Sequence, residues 1–209
     1  MKLSIWIRTH NNRLYLADAL ESTCSAAFGV DIRVLNTGCA SPYYSYKFAA
    51  SLAKNLASDQ SDYILILEDD IVLSETSVSC VKTALERMDD HNWYTVDTSS
   101  DVLKKSVLIP KFGYILTSAN HISYSGAILI KADILRDFTS EYIAKITDLE
   151  FPNFDVNLSS YLLKELGHLH LRPGHFLQRA GVKSSICTST PGRKVYDSDE
   201  LFMYEGPEV

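Results

Sequence analysis

The chain has 209 residues, 46% of them hydrophobic and 22% charged, with a formal net charge of −6. That composition suits one globular domain, or one with a small appendage, and excludes a disordered chain. The acidic balance argues against non-specific binding to nucleic acid.

Met1 to Arg8 is too short an apolar run for a signal peptide or a membrane span, and no other stretch reaches bilayer length. A soluble, cytoplasmic protein is therefore expected. Cys24, Cys39, Cys80 and Cys187 form no CxxC pair and no zinc spacing, so they are expected to be reduced and mostly buried.

Lys2 to Ile7 is predicted as a first strand, ending in Thr9-His10-Asn11-Asn12-Arg13. A helix follows, with Leu16, Leu20, Thr23, Cys24 and Ala27 on one face, Asn11 or Asn12 as its cap and Gly29 as its stop. A second strand covers Ile32 to Leu35. Ser41-Pro42 then opens a helix carrying Tyr46, Ala49, Ala50, Ala53, Leu56 and Ala57 on one side.

The next stretch organises the chain. Tyr63-Ile64-Leu65-Ile66-Leu67 runs without a break and is followed at once by Glu68-Asp69-Asp70. A short unbroken apolar run reads as a strand buried on both faces, as in a parallel sheet between helices. Ligands of such sheets lie at the carboxyl ends of the strands, where these three acids fall. Adjacent carboxylates repel unless something positive neutralises them, and a divalent cation is the obvious candidate. The plainer alternative is a solvated strand end or the start of a helix.

Beyond the acids, Val78, Val81, Leu85 and Met88 mark another helix, and Trp93 to Val96 a strand. Asp97 to Pro110 reads as a long loop. Phe112 to Thr117 and His121 to Ile130 read as strands of undetermined direction, the second broken at Gly126 by a bulge or a close backbone approach to ligand. Short helices are predicted over Ala132 to Phe138 and Tyr142 to Ile146. After the turn Phe151-Pro152-Asn153-Phe154, Asp155 is placed as the cap of a helix bearing Leu158, Tyr161, Leu162 and Leu166 and closed by Gly167. His168 to Leu171 reads as a strand. The expected organisation is one domain over 1–189, with 190–209 as a C-terminal tail or active-site loop.

The β-α-β-α-β opening and the acidic triplet resemble glycosyltransferases of the GT-A fold, several of which carry E-D-D as their metal-binding motif. Ile7 to Leu20, with Thr9, Asn12, Arg13 and Leu16, looks like their first strand and nucleotide-binding turn. Phe176 to Ser185 is similar to a late segment of N-acetylglucosaminyltransferase IV-type enzymes. The resemblance implies an α/β, Rossmann-like fold with a mixed, largely parallel sheet flanked by helices.

It also implies transfer of a sugar, with inversion, from a nucleotide-diphosphate donor such as a UDP-sugar to a hydroxyl acceptor. That acceptor is a glycan, protein, metabolite or modified nucleic acid. By the same resemblance Asp70 binds Mn²⁺ or Mg²⁺ directly, and Glu68 and Asp69 contact the nucleotide or the metal's waters. Thr9 lines the base pocket and Arg13 meets the nucleotide or its phosphates, the alternative for Arg13 being an exposed place in the first turn of its helix.

Tyr124-Ser125-Gly126-Ala127 resembles the small-residue segment on the sugar side, its alternative being a plain core strand. Asp155 is the candidate general base, with Asp148 and Glu150 behind it; its alternative is a helix cap. Where related enzymes often use a late histidine, this chain has Arg179 and Lys183, either of which could neutralise diphosphate. His175 is the nearest histidine and a candidate ligand. His168 and His170 alternate on one strand face, and Tyr43, Tyr44 and Tyr46 could stack on a base; ordinary strand and packing roles compete with both.

Two other functions compete with glycosyl transfer. A nucleotidyltransferase would share the wound sheet, but the chain lacks a glycine-rich phosphate loop with lysine near its first strand. A sugar- or nucleotide-binding module that has lost turnover would show metal-dependent UDP binding with no hydrolysis or transfer.

Overall fold

The computed structural model describes residues 1–38, 44–86, 93–95, 107–109, 113–116, 126–145, 154–166, 169–171 and 177–178. The strands are β1 (Leu3–Thr9), β2 (Asp31–Asn36), β3 (Tyr63–Glu68), β4 (Ile71–Val72), β5 (Trp93–Thr95), β6 (Val107–Ile109), β7 (Gly113–Leu116), β8 (Ala127–Lys131), β9 (Leu169–Leu171) and β10 (Leu177–Gln178). The helices are α1 (Leu14–Phe28), α2 (Tyr44–Leu56), α3 (Glu75–Glu86), α4 (Ala132–Lys145) and α5 (Phe154–Leu166).

Eight strands form one sheet in the order β2-β1-β3-β8-β5-β9-β7-β6. Followed through their pairings, β2, β1, β3, β5, β9 and β6 run one way, and β8 and β7 the other. The sheet is thus mixed and largely parallel, as expected. Among the described residues, no helix is long and apolar enough to cross a membrane.

The central strands are apolar on both faces because each face has its own helical layer. Trp6, Ile64, Ile66, Ile128 and Ile130 pack with Phe48 and Leu52 of α2, Leu135 and Phe138 of α4, and Phe154 and Leu158 of α5. Ile5, Ile7, Leu65, Leu67, Ala127 and Leu129 point the other way, onto Ala17, Leu20 and Cys24 of α1 and Cys80, Val81 and Leu85 of α3. Successive residues of one strand serve opposite cores, as the pleat requires. Phe154 stands edge-on to Phe48 at 4.8 Å and to Phe138 at 5.3 Å, which fixes the start of α5 against α2 and α4.

Several local expectations are corrected. Neither Asn11 nor Asn12 caps α1. A 3-10 turn, Asn11–Arg13, precedes the helix, and Asn11 Oδ1 instead accepts a bond from Asn36 Nδ2 at 2.8 Å. Thr23 and Ala50, placed on buried faces, are exposed. Val107–Ile109 inside the expected loop is β6, held by pairing to β7 that no local period announces. The two short helices after β8 are one, α4; the Thr139 hydroxyl donates to the Leu135 carbonyl at 2.6 Å and so does not break it. Asp155 is not the cap of α5 but its second residue.

Gly29 does end α1, at a φ of 62° in the left-handed region, with its N–H on the Ser25 carbonyl at 3.0 Å. Cys24 and Cys80 are buried and form no disulfide, and burial pushes the Cys24 thiol up to about 12. Cys39, Cys187, Ser41-Pro42 and the 190–209 tail lie outside the described residues.

Candidate active site at the ends of β1 and β3

The chain passes from β1 out to β2 and returns across β1 to β3. Helix α1 covers one face on the way out and α2 the opposite face on the way back. The winding therefore reverses between β1 and β3, and their carboxyl ends flank the crevice where open α/β sheets bind ligands. Arg8 and Thr9 end one strand; Glu68, Asp69 and Asp70 end the other. Register places Arg8 beside Glu68.

The three acids do not form a single cluster. Glu68 continues the Ile64 and Ile66 face and pairs with Arg8, whose guanidinium lies over the Phe48 ring at 5.0 Å. Its backbone N–H donates to the Gly126 carbonyl at 2.8 Å, which ties the strand end to the residue before β8. Asp69 turns to the other face, where the Thr9 hydroxyl donates to its Oδ2 at 2.7 Å. The Asp69 N–H also holds the Arg8 carbonyl, at 3.2 Å. Thr9 is itself locked, its carbonyl accepting the Thr37 N–H at 3.0 Å and the Thr37 hydroxyl at 3.1 Å.

Arg13 enters from the 3-10 turn after β1. Its Nη2 lies 2.8 Å from Asp69 Oδ1 and 2.6 Å from Asp70 Oδ2. The two carboxylate side chains are 3% and 2% exposed, so little water shares the neutralisation. Burial works against the Arg13 charge, but the Asp69 and Asp70 carboxylates outweigh it and raise its pKa. Burial and the Arg13 charge together lower the pKa of His10.

For Asp69 burial dominates. It lifts the carboxyl to about 6, against the Thr9 hydrogen bond and the Arg13 charge, with Asp70 and Glu68 adding to the rise. The folded pKa thus exceeds the ordinary carboxylate value of 3.8. Between these values the native chain binds more protons than the unfolded one. Stability from this group is present at low pH and is lost as pH rises to about 6. In EDTA above that pH, Asp69→Asn should therefore be more stable than wild type by about 2–3 kcal/mol, the difference vanishing below about pH 4. Melting curves of both proteins across that range measure it; a difference that does not change with pH contradicts the assignment.

Donor chemistry decides whether these residues suit a divalent cation. Among the described residues, no three His, Cys, Asp or Glu side chains converge as a ready cage. Glu68 faces Arg8, Asp69 is bound by Thr9, and Asp70, which meets Arg13 at 2.6 Å, brings a hard carboxylate oxygen to the strand end. Mg²⁺ and Mn²⁺ are ordinarily held by one or two carboxylates together with substrate phosphates. The described residues fit an ion that arrives with a diphosphate.

No protein-family model matches the chain, and no curated protein matches it in sequence. Solved structures do match. Glucosyl-3-phosphoglycerate synthase from Mycobacterium tuberculosis, in complex with phosphoglyceric acid, aligns with a TM-score of 0.53 at 13% identity, covering 85% of this chain and 72% of that one. A Bacillus anthracis protein described as a glucose-1-phosphate thymidylyltransferase, in complex with sucrose, aligns with a TM-score of 0.50 at 11% identity, covering 84% and 89%.

The fold is GT-A-like.

Within this GT-A-like frame the remaining candidates can be placed. Gly126 meets Glu68 through its carbonyl, so its close approach is to a neighbouring strand end. Asp155 is on the first turn of α5, beside Phe154. Leu177–Gln178, from the late segment, forms β10 against β4, with Gln178 opposite Ile71. That segment thus returns to the residue after Asp70, a link carrying no sequence signal because each strand has only two residues. His175, Arg179 and Lys183 lie outside the described residues, as do Tyr43, Tyr124, Ser125, Asp148, Glu150 and His168. Tyr44, Tyr46 and His170 are described only as members of α2 and β9.

Two residues that sequence reasoning missed are Arg8 and Thr37. Part of the signal for Arg8 was available, as a charge closing an apolar strand; its register with Glu68 was not.

Proposed function

We propose that this chain is a glycosyltransferase that moves a sugar from a nucleotide-diphosphate donor, UDP in the first instance, to a hydroxyl acceptor with inversion. One observation carries the reading: the acid pair Asp69-Asp70 and the cationic turn at Arg13 meet where the strand order reverses. The GT-A-like fold agrees with it, by analogy of architecture.

In this reading Asp70 holds Mn²⁺ or Mg²⁺, with His175 as a candidate second ligand. The cation offsets the negative charge that builds on the diphosphate as the glycosidic bond breaks. Thr9 and Glu68 keep the strand ends in place, and Asp69 fixes the turn that presents Asp70. Arg13 and Gly126 border the donor crevice. Arg179 and Lys183 follow β10, whose pairing to β4 brings the late segment to the acid end, and they supply positive charge to the diphosphate. The wider resemblance of 176–185 to N-acetylglucosaminyltransferase IV-type enzymes gains no support from the comparisons.

Asp155 takes the acceptor proton as the hydroxyl attacks the anomeric carbon. Two aromatic contacts support this placement: Phe154 packs on Phe48, and Phe48 lies under the Arg8 guanidinium paired with Glu68.

A panel of nucleotide-sugars incubated with the chain and Mn²⁺, assayed for released nucleoside diphosphate, tests the reading. Asp155→Asn should bind UDP as wild type does, yet transfer about 10²–10⁴-fold more slowly. Unchanged transfer moves the base elsewhere. Nucleotidyl transfer shares the fold and leaves a different product. Pyrophosphate released from a nucleoside triphosphate and a sugar phosphate, with no nucleoside diphosphate from any nucleotide-sugar, would replace the proposal with that activity.

A further inference from the structure

The Arg13 guanidinium stands where the cation of the proposed reaction would be needed. We infer that Arg13 is an internal counter-ion that competes with the divalent cation for Asp70, so that cation binding requires its release; this rests on the reading of Asp70 as metal ligand. Three observations support it.

The first is charge. Asp69 and Asp70 are adjacent, almost fully buried carboxylates, and Nη2 of Arg13 is within 2.8 Å of an oxygen of each. Two such groups side by side are strongly repulsive without a cation near them. Arg13 supplies the positive charge, and a metal ion on the same oxygens would make it redundant and then repulsive.

The second is the quality of the grip. Arginine holds carboxylates best with its fork, through two parallel N–H bonds from two nitrogens. Here one nitrogen serves both acids. Nε is buried and has no hydrogen-bond partner among the described residues. A buried donor left unmade costs free energy, which the side chain recovers when it moves to a partner that uses the fork. The arrangement is held by charge and opposed by hydrogen bonding, which suits a contact meant to be exchanged.

The third is origin. Arg13 ends a three-residue 3-10 turn with no side-chain cap, closed by the Arg13 N–H on the carbonyl of its N-cap residue His10 at 2.8 Å. Its backbone lies outside the sheet ladder. The side chain reaches the acids from that turn, and Arg13 takes no part in the pairing of β1 with β3.

The test measures cation binding, not turnover. The full chain is titrated with Mn²⁺ at fixed UDP, and free Mn²⁺ is read by electron paramagnetic resonance. Arg13→Gln should bind Mn²⁺ about tenfold more tightly than wild type, because a positive charge in contact with the ligand oxygens is gone. Arg13→Lys keeps the charge and should bind as weakly as wild type. Equal or weaker binding by Arg13→Gln, with binding still dependent on Asp70, overturns the inference alone. Binding that survives Asp70→Asn unchanged overturns the metal reading itself, and the inference with it.

A measurement on the unmutated chain guards against a variant that does not fold. The Arg13 Nε–H proton resonance should shift when Mg²⁺ and UDP are added together. A resonance unmoved at saturation refutes the exchange.

Discussion

Asp70→Ala should lower Mn²⁺-dependent turnover of the nucleotide-sugar donor by roughly 10³-fold, whether transfer or donor hydrolysis is read. The reason is charge at the leaving group. A cation at a departing diphosphate is worth several kcal/mol, and about 4 kcal/mol corresponds to that factor. The substitution is not expected to unfold the chain. Asp70 lies beyond β3, and Arg13 keeps Asp69 at 2.8 Å as its partner. Wild-type activity in EDTA should fall to the level of the variant. Equal turnover by variant and wild type in Mn²⁺ would remove the cation from the tip of β3.

Arg8→Ala should be the most destabilising single change at the site, by about 3–5 kcal/mol. Arg8 pairs with Glu68, and their side chains are only 9% and 16% exposed. Deleting the cation removes the Arg8 charge from beside a largely buried carboxylate, and breaking such a pair costs more than the pair itself contributes. The stacking of the guanidinium on Phe48 is lost as well. For a chain of this size the loss corresponds to a melting temperature lower by about 10 °C. The double variant Arg8→Met/Glu68→Leu should recover most of it, since the stranded charge is then absent. A melting temperature within a degree or two of wild type for Arg8→Ala would mean that Glu68 is solvated after all.

The position of the acids was legible in the sequence because it depends on a local rule. An unbroken apolar run of five residues followed by three carboxylates reads as a strand covered on both sides and ending in a polar crevice. The fate of the acids was not legible. Whether Glu68 faces Arg8 or solvent depends on the register of β1 against β3, which pairs residues sixty positions apart. The same register joins Thr9 to Asp69.

The metal expectation treated three carboxylates as one cluster. Pleating separates the first from the other two, and arginines from the neighbouring strand end and its turn provide the neutralisation. The strands missed or misread share one cause. β4, β6 and β10 have two or three residues each, too few for a period, and exist because a partner arrives from elsewhere in the chain. α4 runs unbroken through Thr139-Ser140, between the two short helices expected, with the Thr139 hydroxyl bonded within the helix.

The antiparallel seat of β8 has a cost during synthesis. β3 gains its second neighbour only when Ala127–Lys131 is made, about sixty residues after Glu68 leaves the ribosome. At about 5–20 residues per second, the nascent chain carries a bare, wholly apolar edge for several seconds. An unpaired edge of that kind is a template for pairing with another chain. This protein should therefore aggregate most readily as an N-terminal fragment ending between α3 and β8, and holdase chaperones that bind extended apolar segments should act in that interval.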